Sequence, residues 1–393
     1  ASRFGLRCVT MGYTASEREH LKKVLPNPTP FTLSDLKKAV PPHCFERSYI
    51  RSFGHVVVDL TMAFIVFRLS YLISHPVVPI PLRYVLWPIY YWVQGCIFTG
   101  LWVLGHECGH GGFSDSRIVN DITGMILHTA LLVPYYSWKH THGVHHQNCC
   151  SMERDEVFVP MTEKDIDVDN PLRFTAPVRF FHVLIFLLLG WPLYLFVHAT
   201  GQNYPTWTNH FNPYSACFGR KQRVGVVVTD LVLAFVLYGL YKLCLLYGTL
   251  WMFNVYFAPY MIVNCWLVVV TQLQHSDPSV PHYRGKEFTW LRGALATVDR
   301  DFGWVLNHMF HHIQDTHVVH HLFSYMPFYH AVEATKYVAP ILGKYRLTDF
   351  KTPVASAVWS CYRDCIYVPS KGDIVFYRTP HNDYGKNRMQ KRE

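Results

Sequence analysis

The sequence predicts an all-α integral membrane protein, with about four transmembrane helices and a cytosolic helical cap that carries a histidine-rich metal site. Three observations predict it. Half of the residues are hydrophobic, 16% are aromatic and only 16% are charged, below the roughly 25% charged share of soluble domains. Several apolar runs reach the length of about 20 residues that a helix needs to cross a bilayer. Eight histidines fall into three tight clusters outside those runs.

Taken in order, residues 1–53 are polar and hold nine Lys/Arg, and Pro26, Pro28, Pro30, Pro41 and Pro42 break any long helix there. This N-terminal region shows no signal peptide and is expected in the cytosol by the positive-inside bias. A membrane-embedded domain is expected over residues 54–340. Its spans are Val56–Ser74, Tyr84–Leu104, Gly225–Tyr247 and Thr249–Leu273; the second and fourth contain no charged residue. Ile118–Tyr136 is interrupted by Asn120, Asp121, His128 and Pro134, so it is expected along the interface. Residues 341–393 form a cytosolic C-terminal tail, and residues 276–393 together hold fifteen Lys/Arg. The net charge of +9 reads as topology and affinity for an anionic lipid surface. Nothing suggests nucleic-acid binding. Eleven cysteines without a C-x2-C pair point to reduced thiols.

The clusters are His106-Glu-Cys-Gly-His110, His142-Gly-Val-His145-His146 and His317-Val-Val-His320-His321. Helical residues three and four apart share a face, so each cluster is expected to aim its imidazoles at one point. With 24 histidines in 393 residues, an accidental H-x-x-H-H is expected on the order of 0.1 times. Eight clustered imidazoles exceed what one ion uses, so two metals are expected. To share a site, the clusters must emerge on one side of the membrane, with an even number of crossings between the second and third. Three apolar runs lie between them. Phe180–Val197, weakened by Gly190 and Pro192, is therefore expected to be interfacial or re-entrant.

Imidazole suits iron, zinc, copper and nickel, so ligand type leaves the metal open. His106-Glu107-Cys108-Gly109-His110 matches the H-E-x-x-H zinc-protease pattern, but that reading leaves the other clusters unexplained. A metal transporter would place its ligands at bilayer depth, whereas these lie outside the apolar runs. A redox metal pair beside a membrane suggests O2 chemistry on a lipid. Glu107, Asp155 and Asp315 are candidates to orient ligating imidazoles by accepting their second N–H. Glu153, Glu156, Asp299 and Asp301 are nearby acids.

The order and separation of the clusters resemble the membrane-bound fatty acid desaturases. The stretches Glu153–Pro160, Trp290–Asp301 and Asp315–Phe323, followed by Met326-Pro327 and Tyr329-His330-Ala331, are similar to the omega-6 (Δ12) oleate acyl-lipid desaturases of the endoplasmic reticulum. The resemblance covers roughly residues 40–370. It implies two irons held by His106, His110, His142, His145, His146, His317, His320 and His321, with electrons from NADH through cytochrome b5 reductase and cytochrome b5. It implies a ninth ligand at the end of the last span, which His275 supplies, with His311 as competitor. His128, His140, His308 and His312 are expected outside the ligand set. The implied reaction converts oleoyl to linoleoyl chains carried on phospholipid or coenzyme A. Gly105, Gly111-Gly112 and Gln147-Asn148 look more like the omega-3 desaturases, and Asp277 replaces a histidine often found near His275. Omega-3 desaturation, hydroxylation, triple-bond formation and conjugation therefore stand as alternative outcomes. Gly105 is a candidate contributor to product outcome.

Overall fold

A computed structural model describes residues 13–167 and 170–380. Two short helices open it, α1 (Ala15–Val24) and α2 (Leu33–Ala39). Each starts on a capping box, Thr14 with Glu17 and Thr32 with Asp35, which satisfies amide donors that a helix start leaves free. Two long helices follow, α3 (Tyr49–Ile73) and α4 (Ile80–His110). Helix α4 stops directly after the second histidine of the first cluster, because Gly111 turns to φ 73°, a left-handed position that suits glycine. Then come α5 (Arg117–Thr129), α6 (Tyr135–Asn148), α7 (Ala176–Val197) and α8 (Arg223–Tyr247). A short α9 (Thr249–Met252) passes through a π turn at Phe253–Phe257 into α10 (Ala258–His275). The cap continues with α11 (Trp290–Leu295), α12 (Trp304–Met309), α13 (His317–Leu322), α14 (Ala331–Leu342) and α15 (Val354–Asp364). Four short strands trim it: β1 (His282–Tyr283), β2 (Val298–Arg300), β3 (Leu347–Asp349) and β4 (Ile374–Val375). β1 pairs antiparallel with β4, and β2 parallel with β3.

Among the described residues, four helices are long and apolar enough to cross a membrane: Tyr49–Ile73, Ala176–Val197, Arg223–Tyr247 and Thr249–His275. Half of the most apolar stretch of Thr249–His275 is buried, against 17% for Arg223–Tyr247. α10 is thus the central helix and α8 a peripheral one. α8 exposes Leu231, Phe235, Leu245 and Leu246, an apolar surface that water would penalise and lipid would not. α4, at 31 residues, is long enough to cross but dilutes its apolar content with Pro81, Arg83, Pro88, Gln94 and several Tyr and Trp. It runs beside α10 in the same direction. They pack tightly at Gly95, where a Cβ would lie 2.4 Å from the Ile262 Cβ, so only glycine permits the contact. At the end far from the histidines, Tyr90 and Tyr91 donate to the Val255 carbonyl and Asn254.

The run Phe180–Val197 forms most of α7, and both ends of that helix touch the cap. Near its start, Arg179 donates to the carbonyls of Tyr362 and Arg363 at the end of α15. At its other end His198 meets Glu156 at 2.9 Å, and Tyr194 donates to Thr141 on α6. In its middle, Gly190 packs on Val268, near the histidine end of α10. α7 thus has the length and apolarity to cross a membrane, and hydrogen bonds to the cap hold it at both ends. α5, with only 13 residues, runs back along α4 and exposes Ile118, Ile122 and Ile126 while burying Asn120, Leu127 and His128. An apolar outer face of that kind suits an interface.

The cap has its own core. Leu21, Leu36 and Cys44 from the N-terminal region pack with Val298, Val318, Ala334 and Leu347. The residues on either side of the expected boundaries at 53/54 and 340/341 thus share one core; residues 1–12 and 381–393 lie outside the described residues. A buried ion network ties this core to α10. Arg300 Nη1 lies 2.5 Å from Asp349, Nη2 lies 3.4 Å from Asp277, and Nε donates to the Leu273 carbonyl at 2.7 Å. Asp277 also meets Arg18 at 2.6 Å. Asp277 is therefore a charge partner for two arginines. Replacing Arg300 with Met leaves buried Asp349 without a charge partner and Asp277 with Arg18 alone, so we expect a loss of about 3–5 kcal/mol, read as a lowered midpoint of thermal unfolding in detergent.

Candidate metal centre

Nine histidines converge where α4, α6, α10 and α13 meet, and they sort into two groups. His106, His110, His142, His146 and His320 form the first, with their ligand atoms all within 4.8 Å of one another. His145, His275 and His321 form the second, together with Cys149. His317 joins it, its Nε2 lying 3.1 Å from the Nε2 atoms of both His275 and His321.

The helical pitch explains the sorting. Adjacent helical residues point about 100° apart, whereas residues four apart point nearly the same way. His142 and His146 on α6 therefore face the first group, and His145 turns to the second. On α13, His317 and His321 face the second group, and His320 turns to the first. The ring planes of His145 and His146 are 84° apart, and those of His320 and His321 are 85° apart. This corrects the expectation that each cluster aims at one point: only His106–His110 does so. The other two clusters each bridge both groups.

Carboxylates hold the imidazoles from behind. Glu107 lies 3.0 Å from His106 Nδ1 and 3.6 Å from His320 Nδ1. Asp155 accepts at 2.8 Å from His145 Nδ1 and is itself fixed by the backbone N–H groups of Cys150, Val157 and Phe158. Trp138 stacks on His142 at 4.6 Å. Burial and neighbouring imidazoles hold His142, His146, His317 and His321 well below the ordinary histidine pKa, and burial takes His320 down to about 3. Neutral rings keep the lone pairs that metal ions require.

Other candidates fall elsewhere. Asp315 pairs with His312 at 2.9 Å, and His311 pairs with Asp59 at 2.8 Å. Neither pairing involves a histidine of the two groups, because α12 and the turn after it point these side chains toward α3 and the cap surface. Asp299 meets Arg346 and the Val318 N–H, anchoring the start of α13. Asp301 accepts from Asn307, and Glu156 is bonded to His198 and Tyr204. Gly105 does not face either group. A Cβ there would lie 2.3 Å from the His128 ring, which accepts no substitute without moving. Cys149 is the residue that sequence reasoning passed over. It is buried, 3.6 Å from His275 Nδ1, and its spacing of four from His145 was the available signal.

The donor set fits metal ions. Nitrogens each about 2.1 Å from one ion, at right angles, are about 3.0 Å apart. The Nε2 atoms of His106–His110, His106–His142 and His142–His146 are 3.2, 2.8 and 3.1 Å apart. His320 Nε2 is buried without a protein partner, as expected of an atom reserved for an ion. The two metals would be held by five and four imidazoles respectively.

Fold and site together define a helical, membrane-type protein with two adjoining histidine-rich groups that could hold metal at one end of its helix bundle. The chain belongs to the fatty acid desaturase family, whose model matches residues 82–353, and it is an oxidoreductase. It is 51% identical over 352 residues to a Delta(12)-fatty-acid desaturase of Vernicia fordii, covering 90% of this chain and 91% of that one. It is 48% identical over 353 residues to the endoplasmic reticulum omega-6 fatty acid desaturase isozyme 2 of Glycine max, covering 90% and 91%. It is also 46% identical over 368 residues to an oleoyl-12-hydroxylase of Ricinus communis, covering 92% and 94%.

Asp155→Asn keeps the size but removes the charge behind His145. Metal affinity of the second group is expected to fall about 10–100-fold, and metal analysis after dialysis should show loss of one ion per chain before the other.

Proposed function

We propose that this chain is an acyl-lipid Δ12 (omega-6) desaturase of the endoplasmic reticulum that converts oleoyl to linoleoyl chains with two irons. The observation that carries this reading is the identity to Δ12 and omega-6 desaturases over nine-tenths of the chain; the nine converging imidazoles supply the matching chemistry. The ligands are His106, His110, His142, His146 and His320 for one iron and His145, His275, His317 and His321 for the other. Bound there, the irons would activate O2 for hydrogen removal from unactivated methylenes. The overall reaction takes two hydrogens from the chain, two electrons from NADH by way of cytochrome b5 reductase and cytochrome b5, and two protons, and releases two waters. The histidine end of the bundle faces the cytosol, where the basic cap and its electron donor meet.

The protein's share of the work is positioning and exclusion of water. Glu107 and Asp155 fix ring orientation. Seven of the nine histidines are buried and His110 and His142 are half-buried, which limits solvent at a reactive centre. A cavity of about 410 Å³ lies beside the second group, lined by Phe158, Ile185, Phe186, Leu193, Gln272 and Tyr362. Phe158 stands 6.4 Å from the His275 ring, centre to centre. An acyl chain has no polar handle at its middle, so an apolar cavity of defined reach must measure it. We assign this cavity to the chain, with Arg173 and His182 on its wall available to a phosphorylated carrier.

Hydroxylation at the same carbon is the second reading, favoured by the 46% identical oleoyl-12-hydroxylase. Expression in a yeast that makes oleate but no linoleate separates the two by fatty-acid profile. Linoleate is expected; a hydroxylated product supports the second reading, and neither product sinks both. His317→Ala should abolish product, an outcome that a one-zinc protease would not show. Leu193→Trp, which fills the cavity, should cut product about tenfold or more while leaving the iron content unchanged. Unchanged product in that variant would place the acyl chain elsewhere.

A further inference from the structure

A third group of metal-type side chains lies away from the paired centre, where the N-terminal region meets α14. It consists of His43, Cys44, His330 and Glu333, and their ligand atoms all lie within 4.8 Å of one another. Two come from the turn Pro42–Phe45, and two lie three residues apart at the start of α14. Cys44 is fully buried, while His43 and Glu333 border solvent, so an ion has a way in.

We propose that these four residues form a zinc site that clasps the N-terminal region to α14. Zinc favours tetrahedral sets of His, Cys and carboxylate ligands, with Zn–S about 2.3 Å and Zn–N or Zn–O about 2.0–2.1 Å. Those lengths put ligand atoms about 3.6 Å apart for sulfur and nitrogen, and about 3.3 Å apart for nitrogen and oxygen. Cys44 Sγ stands 3.7 Å from His43 Nε2, and Glu333 Oε2 stands 3.4 Å from His330 Nδ1. A third separation, from His43 Nε2 to the other carboxylate oxygen, Glu333 Oε1, is 2.9 Å. It is a hydrogen bond that would open by a few tenths of an ångström around an ion. One thiolate and one carboxylate neutralise the divalent charge, which suits a half-buried position. Mixed nitrogen, sulfur and oxygen donors select zinc over magnesium or calcium, which take oxygen alone.

One contact opposes the ion. Arg51 donates to His330 Nε2 at 3.1 Å, which leaves the ring proton on Nδ1, where zinc must bind. Zinc binding therefore moves that proton to Nε2 and turns Arg51 away. Arg51 has another resting place, since its guanidinium already lies 4.0 Å over the Tyr329 ring. The clasp is thus a competition between zinc and an arginine, and removing the arginine should strengthen it.

The test uses the full-length, iron-loaded protein in detergent, so that the paired centre is already filled, equilibrated against buffered zinc. One zinc per chain is expected in addition to iron, with one sulfur neighbour at about 2.3 Å in zinc-edge X-ray absorption. Cys44→Ser and Glu333→Gln should each weaken zinc on the order of 100-fold with iron content unchanged. If Cys44→Ser fails to fold, the solvent-bordering Glu333→Gln carries the test. Arg51→Met should bind zinc several-fold more tightly. Absence of zinc from the iron-loaded wild type, a zinc spectrum without sulfur, zinc undiminished in Glu333→Gln, or no gain in Arg51→Met would each overturn the proposal.

Discussion

The arrangement depends on the angle between adjacent residues of an α-helix. His145-His146 and His320-His321 each sit back to back on one turn, and the roughly 100° between neighbours sends one ring to each metal group. Two helices of ordinary pitch thereby set how many imidazoles each group holds and how the two groups are spaced. A helix such as α4, with His106 and His110 on one face, can only fill a group that other helices have already divided. Any kink or register shift in α6 or α13 would move a ligand of both ions at once. This explains why these two short helices are so heavily held. Asp155 is pinned by three backbone N–H groups behind α6, and Asp299 receives the first turn of α13 while it is itself clamped by Arg346.

That demand for rigidity also explains the division between bundle and cap. The spans can slide and tilt in lipid, whereas the cap has a water-facing core driven by apolar burial. Ligands come from both, so the two must be locked together. α10 does this. It is the most buried of the apolar helices, it meets α4 side by side at Gly95, and it delivers His275 at its end. Just beyond, Asp277 and Arg300 bind it to β2, β3 and α1 through buried charge pairs. Breaking one partner of such a network leaves a charge without water or a mate, which is why the network holds geometry even where its net stabilisation is small.

Much of this was legible in the sequence, and the parts that were not share a cause. Apolar runs located the long helices to within a few residues because lipid demands length and hydrophobicity from each helix by itself. The histidines were legible because their spacing is a property of one helix. His275 was reached through the family resemblance, which implies a ligand at the end of the last span. What the sequence could not show depends on which helices become neighbours. Apolarity makes α7 a candidate span, but it does not show that Arg179 and His198 at its ends bond the cap. Asp315 sits two residues from His317 in sequence but bonds His312, because the turn between them points the carboxylate outward. The N-terminal region reads as a polar extension, yet Leu21, Leu36 and Cys44 are core residues of the cap.

Gly105 shows how a residue next to the site in sequence can act through its surroundings. It precedes His106, yet its open side faces α5, where the His128 ring fills the space a methyl group would need. His128 is fixed there by the Trp102 carbonyl and packs against Trp138, and Trp138 stacks on His142. A methyl group at position 105 must therefore displace His128 or separate α4 from α5, and either movement reaches a metal-facing ring through one indole. Interiors packed to crystal density transmit small displacements in this way.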